Sequence, residues 1–301
     1  MAASITTLAK LGWSAIGGSS PATQQIDFAD FDLGISQDVR DLNGTRGKYN
    51  KDFGRVRKNL IHVEPSFRSE PTAVELAAIL EWVMGGTVTG TTTKTYPFGN
   101  AAGLRYLAFD PGAGNLWNLT GVAVDSFTLS GSQGEPMSVS LGLLGQAYTV
   151  SGSFPALSLD ISTQPFLFID CALTVNGSTT TIADFSLSIS NGLDRGRFFN
   201  SSTLTALNKL NRTTTIGLTI PYGDFTSLFG YGVNGTGAVG SIVATFTNGG
   251  SVLTVTAANV GFAPQSPSSP FQAEGFLTLS GECFSSSLTT DPITITLANG
   301  P

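Results

Sequence analysis

The chain is poor in the residues that most enzymatic and metal-binding chemistry requires. Among 301 residues there is one histidine, His62, and there are two cysteines, Cys171 and Cys283. A lone histidine rules out multi-histidine metal sites, and its neighbours Ile61, Val63 and Glu64 favour a structural or surface role over general-base catalysis. Two cysteines cannot form a disulfide framework, and without a CxxC spacing they give little support to zinc binding. Cys171 sits in the apolar run FLFIDCALTV and reads as a small buried hydrophobe. No run of about 18 apolar residues is present, so no membrane-spanning helix is expected. The opening MAASITTLAKLGW lacks the basic region and sustained apolar core of a secretory signal, so triplets such as Asn43-Gly44-Thr45 carry little weight as glycosylation sites.

Charge is scarce as well. Charged residues make up 12% of the chain, about half the usual share for a soluble globular protein. Such a chain either hides much of its surface in an assembly or is a monomer with a Ser/Thr-rich exterior. The 36 glycines and runs such as TVTGTTTKT and NGSTTTIA favour short strands joined by turns, hence a mainly β fold.

What is present is an internal echo. ADFDLGIS, Ala29 to Ser36, returns as ADFSLSIS, Ala183 to Ser190, with six of eight positions identical at a separation of 154. Arg57 and Arg212, and Ile61 and Ile216, lie 155 apart, and TLSG recurs at 128–131 and 278–281. Three collinear matches point to tandem duplication, with an N-terminal segment 1–24, a first unit 25–155 and a second unit 156–301. In each unit apolar residues alternate with polar ones, Phe31, Leu33 and Ile35 in one and Phe185, Leu187 and Ile189 in the other, as in half-buried strands. A returning strand follows each after a connection of about 22 residues, well beyond an ordinary hairpin loop.

One helix is convincing. In SEPTAVELAAILEWVMGG, Ser69 can cap, Pro71 suits the first turn and Gly85-Gly86 can stop it. Leu76, Ile79, Leu80 and Val83 share one face, with Glu75 and Glu81 off it. A weaker counterpart is expected at GDFTSLFGYG, capped by Asp224. Gly230 to Gly235 matches GxGxxG formally, but no strand–helix context surrounds it, so a turn-rich loop is the better reading. Acidic residues are numerous, yet spacing alone selects no glycosidase pair.

The basic residues are concentrated. Arg40, Arg46, Lys48, Lys51, Arg55, Arg57 and Lys58 lie in the first connection, and Arg195, Arg197, Lys209 and Arg212 in the second; together they are 11 of the 15 lysines and arginines in a chain of net charge −6. Three readings compete: solvated loops, nucleic-acid binding, and docking onto the acidic body of another copy. Few aromatic residues accompany the basic ones, which disfavours the second. Basic arms and an acidic body within one molecule favour the third.

The segment VNGSTTTIADFSLSISNGL through NRTTTIGLTIPYGD, with its earlier copy ADFDLGIS through RKNLIHVEPSF and the helix, resembles the tail tube proteins of long, non-contractile-tailed bacteriophages. The resemblance implies β-sandwich or half-barrel units, each with a long arm and a flanking helix. Six units would surround a channel, so a two-unit chain would need only three copies per ring, giving a homotrimeric, pseudo-hexameric ring. Stacked rings would form a virion tube that conducts DNA from capsid to host without sequence-specific binding. The tape measure, tail terminator and tail tip proteins would be its partners, and no enzyme activity or cofactor is implied. On this reading Arg40, Arg46, Lys48, Lys51, Arg55, Arg195, Arg197 and Lys209 would stack rings. Asp30, Asp32, Glu64 and Asp184 would face either the lumen or outer solvent. The rival from another class is a duplicated carbohydrate-binding or adhesive β-sandwich, although dense clusters of exposed aromatics or acidic calcium ligands are not evident.

Overall fold

The computed structural model describes residues 9–18, 22–41, 56–112, 114–159, 163–221, 239–262, 275–287 and 290–299. The first half carries β1 (Lys10–Trp13), β2 (Gln24–Ile26), β3 (Asp30–Asp32), β4 (Ile35–Asp41), β5 (Val56–Val63) and β6 (Ser66–Ser69). Helix α1 (Ala73–Met84) follows, then β7 (Thr93–Tyr96), β8 (Arg105–Asp110), β9 (Trp117–Ser132), β10 (Ser138–Leu144) and β11 (Ala147–Val150). The second half opens after a 3-10 turn at Phe168–Asp170, with β12 (Cys171–Val175), β13 (Ser178–Thr180), β14 (Asp184–Ser190) and β15 (Thr213–Pro221). It ends with β16 (Val239–Asn248), β17 (Ser251–Phe262), β18 (Phe276–Cys283) and β19 (Thr294–Ala298). The fold is mainly β, as the composition indicates.

The two halves pair their strands in the same order, always antiparallel. In the first, β1 pairs β2 and β8, β8 pairs β9, β9 pairs β10 and β11, β10 pairs β6, and β6 pairs β3. In the second, β12 pairs β13 and β16, β16 pairs β17, β17 pairs β18 and β19, β18 pairs β15, and β15 pairs β14. Two strand pairings among the described residues join the halves: Ser126–Ser132 of β9 lies against Ser190–Asp184 of β14, and β7 lies against β19. An eight-stranded run β3-β6-β10-β9-β14-β15-β18-β17 therefore crosses the whole chain.

This topology revises two of the sequence matches. TLSG at 128–131 lies in β9, whose counterpart by pairing is β17, whereas TLSG at 278–281 lies in β18, the counterpart of β10. Both strands set Leu inward and small hydroxyl residues outward on one sheet face, so like strings arise in strands that do not correspond. The returning strands are also four residues out of step: Asp30 faces Arg68, but Asp184 faces Thr219.

Beyond β3 the first ladder breaks and then continues as β4–β5. Gly34 makes the break possible. Its φ is +54°, and a Cβ there would lie 1.9 Å from the Glu64 carbonyl oxygen, so only glycine fits without displacing backbone. The Gly34 carbonyl still accepts from Glu64 N at 3.0 Å, which carries the register across the gap.

The core follows from period-2 alternation. Phe185, Leu187 and Ile189, and Ile216, Leu218 and Ile220, are all buried, with the Phe185 ring 5.5 Å from Phe246 of the opposing β16. Helix α1 buries Leu76, Ile79, Leu80 and Val83 as expected, with Trp82 edge-on to Trp13 of β1 at 5.7 Å. The helix ends at Gly85, in the left-handed region. Its N-cap is Thr72 rather than Ser69. Glu75 reaches back to Thr72 N at 3.0 Å and also accepts from Asp27 N at 3.0 Å. These bonds explain why Glu75, which the helical pattern sets off the apolar face, is buried. The helix expected near Asp224, and the Gly230–Gly235 loop, lie outside the described residues.

Replacing Thr72 with Ala removes the cap acceptor and leaves Glu75 with one partner fewer. Urea unfolding is expected to show a loss of about 1 kcal/mol, with the urea slope unchanged.

Candidate functional site

The eight-stranded run has one face in the core and one open. On the open face lie Asp30 and Asp32 of β3, Ser66 and Arg68 of β6, Ser140 of β10, and Ser126, Thr128 and Ser130 of β9. Across the junction it continues with Asp184, Ser186 and Ser188 of β14, Thr215 and Thr219 of β15, and Thr278, Ser280 and Glu282 of β18. The inward partners of these residues are Phe, Leu, Ile and Val, so strand alternation itself sorts the hydroxyls to one side.

The hydroxyls bond to one another across strands: Thr128 to Ser188 at 3.2 Å, over the junction between the halves, and Ser130 to Ser138 at 3.1 Å. Gly217 helps to keep the face flat, since a Cβ there would come 2.5 Å from the Ser186 hydroxyl. The charges on the face are Asp30, Asp32, Asp184 and Glu282 against Arg68 alone, and Arg68 is directly opposite Asp30 in the ladder. Such a surface is hydrated, weakly acidic and without a cluster of cations. Among the described residues no group of three or more His, Cys, Asp or Glu could hold a metal.

Three of the four acidic residues singled out from sequence, Asp30, Asp32 and Asp184, are exposed on this face. Glu64 sits in the turn between β5 and β6, where Arg195 binds it at 3.2 Å. Sequence reasoning overlooked Glu282, Arg68 and the hydroxyl array. The signal was available in the alternating Ser and Thr of SLSIS, SFTLSG and TTTIGLTIP.

Of the basic arms, the second is described in full. Arg195 bridges Glu64 and, at 2.6 Å, Asp125 of β9, and its hydrogen bond to Asp125 raises its already high pKa. The backbone N–H of Gly196 and then Arg197, at 2.7 Å, hold the Asp194 carboxyl below the ordinary carboxylate range. At the foot of the arm, Asn191 donates to the carbonyls of Val83 at 3.2 Å and Val124 at 3.0 Å. Arg212 donates to Asn191 Oδ1 and to the Gly99 carbonyl, and stacks over the Phe98 ring at 4.0 Å. Lys209 donates to Gly99 O at 3.3 Å. The last turn of α1 has no basic residue of its own, and Lys209 and Arg212 bring positive charge to that end of the helix. Arg195, Arg197 and Lys209 are thus all engaged within the chain.

The second arm also leans on β5. The Ile61 amide donates to Ser202 O at 2.7 Å, and the Phe198 ring meets His62 edge-on at 5.5 Å. His62 Nε2 lies 3.5 Å from Asp38. Arg40 is on β4, where its backbone pairs with Arg57. Arg46, Lys48, Lys51 and Arg55 lie outside the described residues.

Burial pushes the Lys209 ammonium down to about 8. Because this pKa is lower than in the unfolded chain, the unfolded state binds the extra proton between about pH 8 and about 10.4. Stability at this site therefore rises across that window. Comparing thermal midpoints of wild type and Lys209→Met from pH 7.5 to 9.5, wild type is expected to gain on the variant as pH increases.

The family model described as phage tail tube protein matches residues 61–282. No curated protein matches the sequence.

Proposed function

The chain belongs to the phage tail tube protein family, a structural component of the virion tail, and on that premise we propose that three copies close into a pseudo-hexameric ring. The chain is then two duplicated units, near 25–155 and 156–301, which is supported by the seven strand pairings that recur in the same order in both halves. The observation that carries the reading is the β9–β14 pairing. It is a head-to-tail contact between two like units, and the chain ends its run with β3 unpaired on its outer side among the described residues. A neighbouring copy that repeats the contact would bring its second unit to that open edge.

Size selects the number of copies. Strands lie about 4.8 Å apart, so an eight-stranded run spans roughly 38 Å of circumference. Three copies close a ring about 37 Å across at the backbone, or about 27 Å after side chains on both walls. With strands running along the channel axis, two copies would leave only about 14 Å, too narrow for a duplex with a major groove about 12 Å wide and about 8.5 Å deep. In that orientation three is the smallest ring that admits DNA.

The hydroxyl face then lines the channel. Duplex DNA carries a negative charge every 1.7 Å or so, and a basic wall would hold it through many phosphate contacts. A polar wall bearing Asp30, Asp32, Asp184 and Glu282, with Arg68 its one cation among the described residues, offers no such grip. Its function is passive conduction, with no catalytic role. Stacked rings form the tube. The arms bearing Arg40, Arg46, Lys48, Lys51 and Arg55, with Arg195, Arg197 and Lys209, would contribute to stacking, while Glu64 anchors the second arm at the channel rim. The tube would meet tape measure, terminator and tip proteins at its ends.

Negative-stain electron microscopy of concentrated protein is expected to show rings or hollow tubes; stable monomers that bind a glycan would overturn the reading. Replacing Asp30 and Asp32 together with Lys is expected to leave tube formation intact and to slow DNA release at least about tenfold at low salt, with relief at high salt. Release at the wild-type rate removes these residues from the channel wall. Reversing Arg46, Lys48 and Lys51 to Glu is expected to shorten tubes, and unchanged tube lengths would sink the stacking role of the first arm.

A further inference from the structure

The two halves differ at one sheet edge, and the difference points to a second contact between copies. In the second half, β19 is paired on both sides: β17 holds one edge and β7, a strand of the other half, holds the other. Its counterpart in the first half is β11, which pairs β9 as β19 pairs β17. The ladder beside β10 runs on to a bridge between Gly145 and Val63, where β5 departs toward the arm. From Ala147 to Val150, β11 has β9 alone among the described residues.

The backbone phase of this edge matches that of the filled one. Ser151 N donates to Leu116 O of the β9 side at 3.0 Å, so alternate residues along β11 face β9. Tyr148 and Val150 therefore turn their backbone groups outward. On β19 the residues in the same phase are Leu297 and Asn299, and Asn299 N donates to Thr92 O at the start of β7 at 2.8 Å. The side chains agree with an edge meant to be covered: Val150 is 45% exposed, and Tyr148 stacks on Trp117 at 5.9 Å. Thr149 and Val150 also lack the charge or proline that guards a free edge.

We propose that the outer edge of β11 is filled by a strand from a second copy of this chain, in the way that β7 fills the outer edge of β19 within the chain. Each unit then lends a strand to its neighbour in the outer layer while the inner run continues through the β9–β14 type of pairing. Two independent ladders clamp each junction, one on the channel side and one on the outside. The inference rests on the ring reading above and deepens it by naming the surface and its partner.

Hydrogen exchange of the wild-type chain, as monomer and as assembled tube, tests it directly. The Tyr148 and Val150 amides are expected to gain at least about tenfold protection on assembly, while the Ser151 amide, already bonded to Leu116, changes little. Val150→Pro removes one outward donor but no bond to β9. It is expected to leave the monomer's thermal midpoint unchanged and to raise the concentration needed for assembly about tenfold. Should that variant fail to fold, the exchange measurement on wild type stands by itself. Wild-type tubes in which Tyr148 and Val150 exchange as fast as in the monomer overturn this inference and leave the ring reading standing. A wild-type chain that stays monomeric at every concentration overturns both.

Discussion

Everything above the single unit depends on one antiparallel contact, the seven-residue pairing of β9 with β14. Strand alternation has a period of two, so a slip of one residue would turn Phe185, Leu187 and Ile189 outward and the hydroxyls into the core. The register sets Phe127 beside Ile189, and Leu129 beside Leu187, with all four side chains buried. That burial makes the register strongly specified, and the open face of both units becomes one surface as a result. The Thr128–Ser188 hydrogen bond then spans a boundary that is chemically invisible from the open side.

Charge supports this arrangement mainly by staying out of it. Few ionisable groups of the described residues reach the open face, and the basic residues of the second arm sit at the end of the strands. There they act within the chain. Arg195 ties the second arm to Glu64 and Asp125, and Lys209 and Arg212 complete the end of a helix that has no cation of its own. Since Glu64, Asp125 and α1 belong to the first half, the second arm serves as a brace between halves as well as an exposed projection. Burial of Lys209 costs some of the stability that the brace provides, and its lowered pKa is the sign of that cost.

Much of the fold was legible in the sequence because alternation and caps are local. The strands around ADFSLSIS and TTTIGLTIP, the apolar face of α1 and its Gly85 stop were all readable from spacing. Glu75 was not, because its burial depends on Asp27, 48 residues away in sequence. The TLSG match misled for a related reason: alternating strands of one sheet converge on like strings whatever their place in the topology. The echo ADFDLGIS/ADFSLSIS falls on β3 and β14, which do correspond, but the full correspondence of the halves is visible in the order of pairing. For the open face, Asp30, Asp32 and Asp184 were found by charge, but its dominant chemistry is the hydroxyl array. Single Ser and Thr residues carry little signal until eight strands place them side by side.

On the proposed reading, a chain of two like units closes into a ring of three. Native mass spectrometry of rings released from tubes measures this most directly. The account predicts a closed species of three chains, near three times 31.2 kDa. A closed ring of six chains would contradict it, because the second half of the chain would then not occupy a place equivalent to the first.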